Sequence, residues 1–341
     1  MNRKTIRKED ITKLVRHFQD KHKVVGPVAK EHQFGFETLD DPTELRLDYN
    51  TSILPPVQYL YPNKETLLRY NINQPGEGKV VLEAEPLVLM GVHPCDIHSI
   101  QIVDEIMMED PEDQNYMARR ELTLIVGLGC QAPCDDKTLC YDKGTWKAES
   151  GFDLLLTDIG ENYVLDITSA KGEMALEGFD AMCEASHDDR HQAQVKGSEA
   201  EGRFEKRLAM PIDGLVHYLK ESYDDMIWDA LGGRCLSCGS CNIVCPTCYC
   251  FDTTDEVELD LCSGERCRSK DACQLNNFAV VAGGENFRNR AGGRLRHRIF
   301  RKEVYLHDKY LRSTCVGCGR CNRACVAGIN LIDIYNQVMG V

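Results

Sequence analysis

The most regular patterning lies between residues 86 and 128. "PLVLMGV" (86–92) is an apolar run, "DIHSIQIVDEIMME" (96–109) repeats apolar residues at helical spacing, and "ELTLIVGL" (121–128) is a second apolar run. Short apolar runs of this kind predict strands buried on both faces. Strand, helix and strand within about 40 residues predict a βαβ unit, hence parallel strands joined by a right-handed crossover. Upstream, residues 1 to about 75 read as a small α/β segment: a basic amphipathic helix from about Arg7 to Lys21, then irregular, proline-containing chain. "SILPPVQYLYPNKETLLRY" (52–70) carries three prolines and predicts a short helix at its end. Downstream, "FDLLLTDIG" and "NYVLDITS" predict a hairpin or two further strands. From about Lys171 to Trp228 the pattern is helical and polar, with "HDDRHQAQVKGSEAEGRFEKR" as a solvated helix or linker. The predicted fold class is α+β. An α/β domain with a partly parallel sheet spans 1–170, a helical linker region spans 171–228, and a mainly helical, cysteine-rich domain spans 229–341.

Composition changes this picture in one respect. The chain has 341 residues, 43% hydrophobic and 28% charged, as an ordinary globular protein does. Its net charge of −14 argues against nucleic acid or an anionic membrane as the main partner. The N-terminal "MNRKTIRKEDITKLVRHFQ" has no apolar core of a secretory signal, and no apolar run is long enough for a membrane span. A cytoplasmic setting is the expectation, and there 18 cysteines read as metal ligands rather than disulfides.

Eight of them form two copies of C-x2-C-x2-C-x3-C: "CLSCGSCNIVCP" and "CVGCGRCNRACV". Three thiolates two residues apart wrap one face of a cubane, and small residues (Gly239, Ser240, Gly317, Gly319) let the backbone come close. In two-cluster ferredoxins the fourth cysteine serves the other cluster. Cys235, Cys238, Cys241 and Cys325 are therefore expected to hold one [4Fe–4S] cluster, and Cys315, Cys318, Cys321 and Cys245 a second. Zinc prefers two C-x2-C pairs separated by a finger, and no zinc is expected here. The roughly 70 residues between the copies exceed compact ferredoxin spacing and suggest a helical dicluster domain. Within that span, Cys248 and Cys250 read as polarizable packing beside the first cluster, and Cys262, Cys267 and Cys273 as an irregular possible site. "AGGENFRNRAGGRLRHRIFRK" (282–302) is either a solvated basic helix or a source of arginines that offset cluster charge or dock an acidic partner.

"CPTCYCFD", "AGGENFR", "RLRHRIFRK" and "CVGCGRCNRAC", in this order and spacing, resemble the iron–sulfur subunit family of cytosolic multi-subunit oxidoreductases. Its members include the β subunit of sulfhydrogenases (group 3 NiFe-hydrogenases) and the corresponding iron–sulfur chain of anaerobic sulfite reductase. "LPPVQYLYPNKE" and "GVHPCDIHSIQIVDE" extend the resemblance over nearly the whole chain, with His93 where the family has arginine. The resemblance implies an anaerobic, non-catalytic electron relay between two partners. One is a flavin-containing subunit using NAD(P)H or ferredoxin; the other is a catalytic subunit of the hydrogenase, sulfite reductase or heterodisulfide-reductase type.

Against this background "CQAPCDDKTLCYD" (130–142) becomes informative. Cys95 follows the first predicted parallel strand and Cys130 the second, so both fall on one sheet edge, where cofactors of open α/β sheets sit. Asp96 can cap the helix beginning beside Cys95. A third [4Fe–4S] cluster is expected from Cys95, Cys130, Cys140 and either Asp142 or Cys134. Asp142 is favoured because the resemblance places a Cys-x-Cys where this chain has Cys140-Tyr141-Asp142. The alternative is a site without a cluster, made of buried thiols. A self-sufficient reductase with substrate or flavin in the N-terminal domain is the rival function. However, "GLG" (127–129) is only a fragment of a dinucleotide fingerprint, and no catalytic constellation, flavin or nucleotide site is expected on this chain. His93, His98 and His297 read as surface or core residues.

Overall fold

A computed structural model describes residues 2–74 and 76–341. Its strands are β1 (Asn2–Arg7), β2 (Lys23–Lys30), β3 (Gln33–Thr38), β4 (Lys64–Asn71), β5 (Lys79–Val80) and β6 (Leu87–Val92). They continue with β7 (Thr123–Leu128), β8 (Leu154–Asp158), β9 (Asn162–Ile167), β10 (Cys183–Glu184), β11 (Phe251–Val257) and β12 (Ser263–Lys270). Eight of these form one sheet in the order β10-β1-β9-β8-β7-β6-β2-β3. The pairs β2–β6, β6–β7 and β7–β8 are parallel, and the flanking pairs are antiparallel. Every residue of β6 and β7 is buried, which is why both read as unbroken apolar runs.

The helices that matter for the sites are α1 (Ile11–Gln19), α2 (Pro94–Met107) and α3 (Gln114–Leu122) in the first half. The basic N-terminal helix is shorter than its pattern suggested, because residues 2–7 form β1 against β9. Ile11, Leu14, Val15 and Phe18 still supply its single buried face. The chain expected to be irregular after it forms the β2–β3 hairpin.

The short helix expected at the end of 52–70 is instead β4, and the cause is tertiary. β4 pairs antiparallel with β12, which lies in the cysteine-rich half, giving a second sheet of order β11-β12-β4-β5. The cysteine-rich half is accordingly a mixture of short helices and a β-hairpin rather than mainly helical. Its apolar core gathers Trp228, Phe300, Tyr335 and Leu219, and it accepts Leu139 from the N-terminal half. The stretch 171–228 supplies helices Ala170–Ala175, His187–Glu201 and Leu215–Glu221, with Cys183–Glu184 added to the edge of the large sheet.

Candidate metal centres

Both cysteine motifs take the same backbone path. Gly239 (φ 77°) and Gly319 (φ 74°) occupy the left-handed region immediately before the short helices Ser240–Ile243 and Arg320–Ala324. Two residues earlier, Ser237 (φ 52°) and Gly317 (φ 65°) do so again. The turns place the first two cysteines of each motif on the loop and the third in the first helical turn. A cavity of about 530 Å3 is walled by Cys235, Cys238, Cys241 and Cys325. A second, of about 390 Å3, is walled by Cys245, Cys315 and Cys318. Cys321 lines both. Each motif thus sends its last cysteine to the other motif's cavity.

The electrostatics fit a guest that brings positive charge to sulfur. Burial pushes the thiols of Cys241 and Cys315 up to about 12 and Cys318 up to about 11. Such sulfurs ionise when metal binding supplies the missing charge. Backbone N–H groups of Ser237 and Ile329 donate to the sulfurs of Cys235 (3.4 Å) and Cys325 (3.3 Å). Arg298 and Lys302 are buried, and the charges facing them are cysteine sulfurs rather than carboxylates. Burial alone would depress both cations, yet the surrounding sulfurs hold each above its ordinary value. A buried cation without a counter-charge is costly, so negatively charged clusters suit this interior. The 282–302 stretch therefore packs two of its basic side chains, Arg298 and Lys302, against the cavities. Its Arg294 is a structural clamp, donating to Ser237 Oγ (2.8 Å) and Gln274 O (2.9 Å).

At the edge of the large sheet the ends of β6 and β7 bring Cys95 and Cys130 together. They share a cavity of about 290 Å3 with Cys134, Cys140 and Cys318. Asp142 is not on its wall. The Asp142 carboxylate instead accepts the N–H groups of Arg207 (3.1 Å) and Leu208 (3.3 Å), so it faces the 207–208 segment. The fourth sulfur here is Cys134, whose thiol donates to Asn50 O at 2.9 Å. Burial raises the thiols of Cys95 and Cys130 well above their usual value and Cys140 to about 12.

Asp96 does not cap its helix. It receives a bidentate pair from Arg320 (2.6 and 2.7 Å), a residue of the second motif, which also reaches Ser52 Oγ (2.9 Å). His93 stacks on Tyr49 at 4.1 Å, and burial lowers it to about 4.

The 130–145 loop lies directly on the second motif. Leu139 N–H donates to Gly317 O (2.7 Å), Thr145 Oγ1 to Val316 O (2.6 Å) and Asn322 Nδ2 to Lys137 O (2.8 Å). Arg323 clamps Asp135 with bonds of 2.6 and 3.0 Å. Arg320, Arg323 and Asp135 escaped sequence reasoning. The available signal was the pair of arginines standing between the cysteines of the second motif. Cys262, Cys267 and Cys273 are not brought together. Cys267 lies mid-strand in β12 near Thr66 Oγ1 (3.9 Å), while Cys262 and Cys273 fall beyond opposite ends of that strand. Cys183 is exposed in β10.

Residues 234–329 match the 4Fe-4S dicluster domain family. The whole chain is 32% identical over 321 residues, covering 93% of this chain and 92% of the relative, to sulfhydrogenase 2 subunit beta of Pyrococcus furiosus. No solved structure matches.

Proposed function

The chain belongs to the family of the sulfhydrogenase beta subunit, and from that premise we propose that it is an electron-transfer subunit with three [4Fe–4S] sites in series. The observation that carries the proposal is the sharing of walls. Cys321 lines the first and second cavities, and Cys318 lines the second and third. Clusters bound in these sites supply one-electron carriers whose potentials respond to nearby charge and hydrogen bonds. The first site takes Cys235, Cys238, Cys241 and Cys325; the second takes Cys245, Cys315, Cys318 and Cys321. The third takes Cys95, Cys130, Cys134 and Cys140.

The line has two ends. At the first site Cys238 is exposed, with Leu236 (66% exposed) and Val326 (80%) beside it. The third site closes under Trp146, Phe204 and Pro133. This arrangement serves two partners, one at each end: a flavin-containing NAD(P)H or ferredoxin module, and the catalytic chain of a hydrogenase-type enzyme. Among the described residues no helix is long and apolar enough to cross a membrane.

Anaerobic purification followed by iron and acid-labile sulfide analysis tests the third site. Cys134→Ala is expected to lose about four irons per chain, whereas Asp142→Asn keeps the full complement. A Cys134→Ala chain with undiminished iron would remove Cys134 from the ligand set, and loss in Asp142→Asn alone would restore the carboxylate.

A further inference from the structure

Beside the second site lies an opening of about 830 Å3 whose wall carries three thiols that neither C-x2-C-x2-C-x3-C motif uses: Cys248, Cys250 and Cys273. The Cys250 sulfur is in hydrogen-bonding contact with both other sulfurs. Asn242 is buried, and its Nδ2 donates to Cys273 Sγ (3.2 Å) and Cys248 Sγ (3.5 Å). Sulfurs this close cannot take separate corners of a cluster, and among the described residues no three His, Cys, Asp or Glu side chains are disposed to hold a metal ion. Plain packing fits no better, because the three sulfurs border an opening instead of filling space. Thiols in contact have one further chemistry, a bond to each other.

The fold selects the pair. Cys250 directly precedes β11, and Cys273 lies just past β12. The two strands are antiparallel with Phe251 opposite Lys270, and Asp271 N–H donates to Cys250 O (3.0 Å). A Cys250–Cys273 bond therefore links two chain ends that the hairpin already holds together. A Cys248–Cys250 bond would instead bend the backbone into a small ring around one residue. The rest of the wall indicates what reaches the pair. Arg298 and Lys302 are buried in it and Arg301 is exposed, and among the described residues no acidic side chain lines the cavity. Tyr249, Phe278 and Leu306 make its apolar part. Such a lining suits a small guest that carries negative charge.

We propose that Cys250 and Cys273 form a dithiol–disulfide site that exchanges with a low-molecular-weight disulfide bearing carboxylates. Cys250 is half-buried and Cys273 buried, so the incoming disulfide meets Cys250 first. The Cys250 sulfur, as thiolate, attacks one sulfur of the guest, breaks its S–S bond and expels one thiol. The Cys273 sulfur then attacks Cys250 in this mixed disulfide, forms the Cys250–Cys273 bond and expels the second thiol. The two cysteines give up two electrons and two protons, and the two released thiols carry them away. The site goes beyond the electron relay and needs no cluster for its chemistry.

The test uses the full chain, purified anaerobically and incubated with either reduced or oxidised glutathione. Samples are unfolded in excess iodoacetamide, digested without reduction and mapped by mass spectrometry, with iron counted in parallel. Under reduced glutathione both cysteines are expected to be alkylated. Under oxidised glutathione a peptide linking Cys250 to Cys273 is expected to become the main form, at unchanged iron. Cys248→Ala is expected to keep that link, whereas Cys273→Ala loses it and holds glutathione on Cys250. Alkylated Cys250 and Cys273 under oxidised glutathione overturn the proposal. So does a link from Cys250 to Cys248, or a Cys250–Cys273 link confined to chains that have shed iron.

Discussion

Ser237 and Gly317 meet the same backbone demand with different side chains, and the difference is set by what lies beside them. Both take a positive φ. A Cβ at Gly317 would stand 2.5–2.7 Å from the backbone of Leu139 and Cys140, so that position must stay bare for the 130–145 loop to dock. Ser237 has room, and its hydroxyl is held by Arg294. Gly317→Ala is expected to cost about 3 kcal/mol or more, from left-handed strain and backbone overlap. Ser237→Ala loses one hydrogen bond to a charged group, about 2 kcal/mol. Thermal denaturation of the two variants should rank them in that order; equal melting temperatures would show that the loop shifts freely. The Arg320–Asp96 pair is more sensitive, since both side chains are almost wholly buried, at 3% and 0% exposed. Removing either partner leaves an uncompensated charge, a loss of about 3–5 kcal/mol. The replacement Arg320→Met is therefore expected to be worse than Arg320→Met/Asp96→Leu, by melting temperature. At this scale the gathering of the motif cysteines around two cavities was legible because three cysteines in seven residues leave the backbone few paths. Asp142 was misplaced because position along the chain does not say which way a turn residue faces.

Two arginines, Arg268 and Arg119, tie the second sheet to the segment around α3. Arg268 of β12 donates to Glu65 of β4 (2.6 and 2.9 Å) and to Asp113 before α3 (3.2 Å, with a second, shorter contact), while Arg119 of α3 also pairs with Glu65. The sequence could not disclose this, because β4 and β12 lie about 200 residues apart and β4 read alone resembles the start of a helix. The parallel strands were legible for the opposite reason: β6 and β7 are buried on both faces by their own side chains. Burial alone would raise the Asp113 carboxyl, but the hydrogen bonds from Arg268 and the Tyr116 N–H, with the charges of Arg268 and Arg119, together outweigh it and hold the group below its ordinary value. A depressed folded pKa stabilises above the unfolded value, near about 4, and that contribution disappears as pH falls through the folded value. Hydrogen exchange in β4 and β12 should therefore be faster in Asp113→Asn than in wild type at pH 6. The difference should shrink as pH falls below about 4 and vanish once pH has passed through the lowered folded value. A difference that persists there would mean the carboxylate is not what docks the sheet.

At the scale of the molecule, a chain of net charge −14 keeps cations inside, at Arg298, Lys302 and Arg320, where three sulfur-lined cavities share walls. The crossed use of the two motifs was readable from spacing, but the line itself was not. Its third member depends on a loop from the N-terminal half lying across Gly317 and Gly319, and no local pattern encodes that contact. The line has a testable weak point. Cys315 borders the middle cavity and neither end cavity, so on the proposed reading Cys315→Ala alters the second site alone. In the complex with its partner subunits, each partner should then keep its half-reaction with a soluble dye. Electron flow from one partner to the other should fall by at least tenfold, because the end sites are left without a carrier between them. Freeze-quenched electron paramagnetic resonance would show the end site nearer the reduced partner filling while the far one stays oxidised. Reduction of both ends at the wild-type rate would mean that electrons bypass the middle site and that the shared walls of Cys318 and Cys321 do not mark the route.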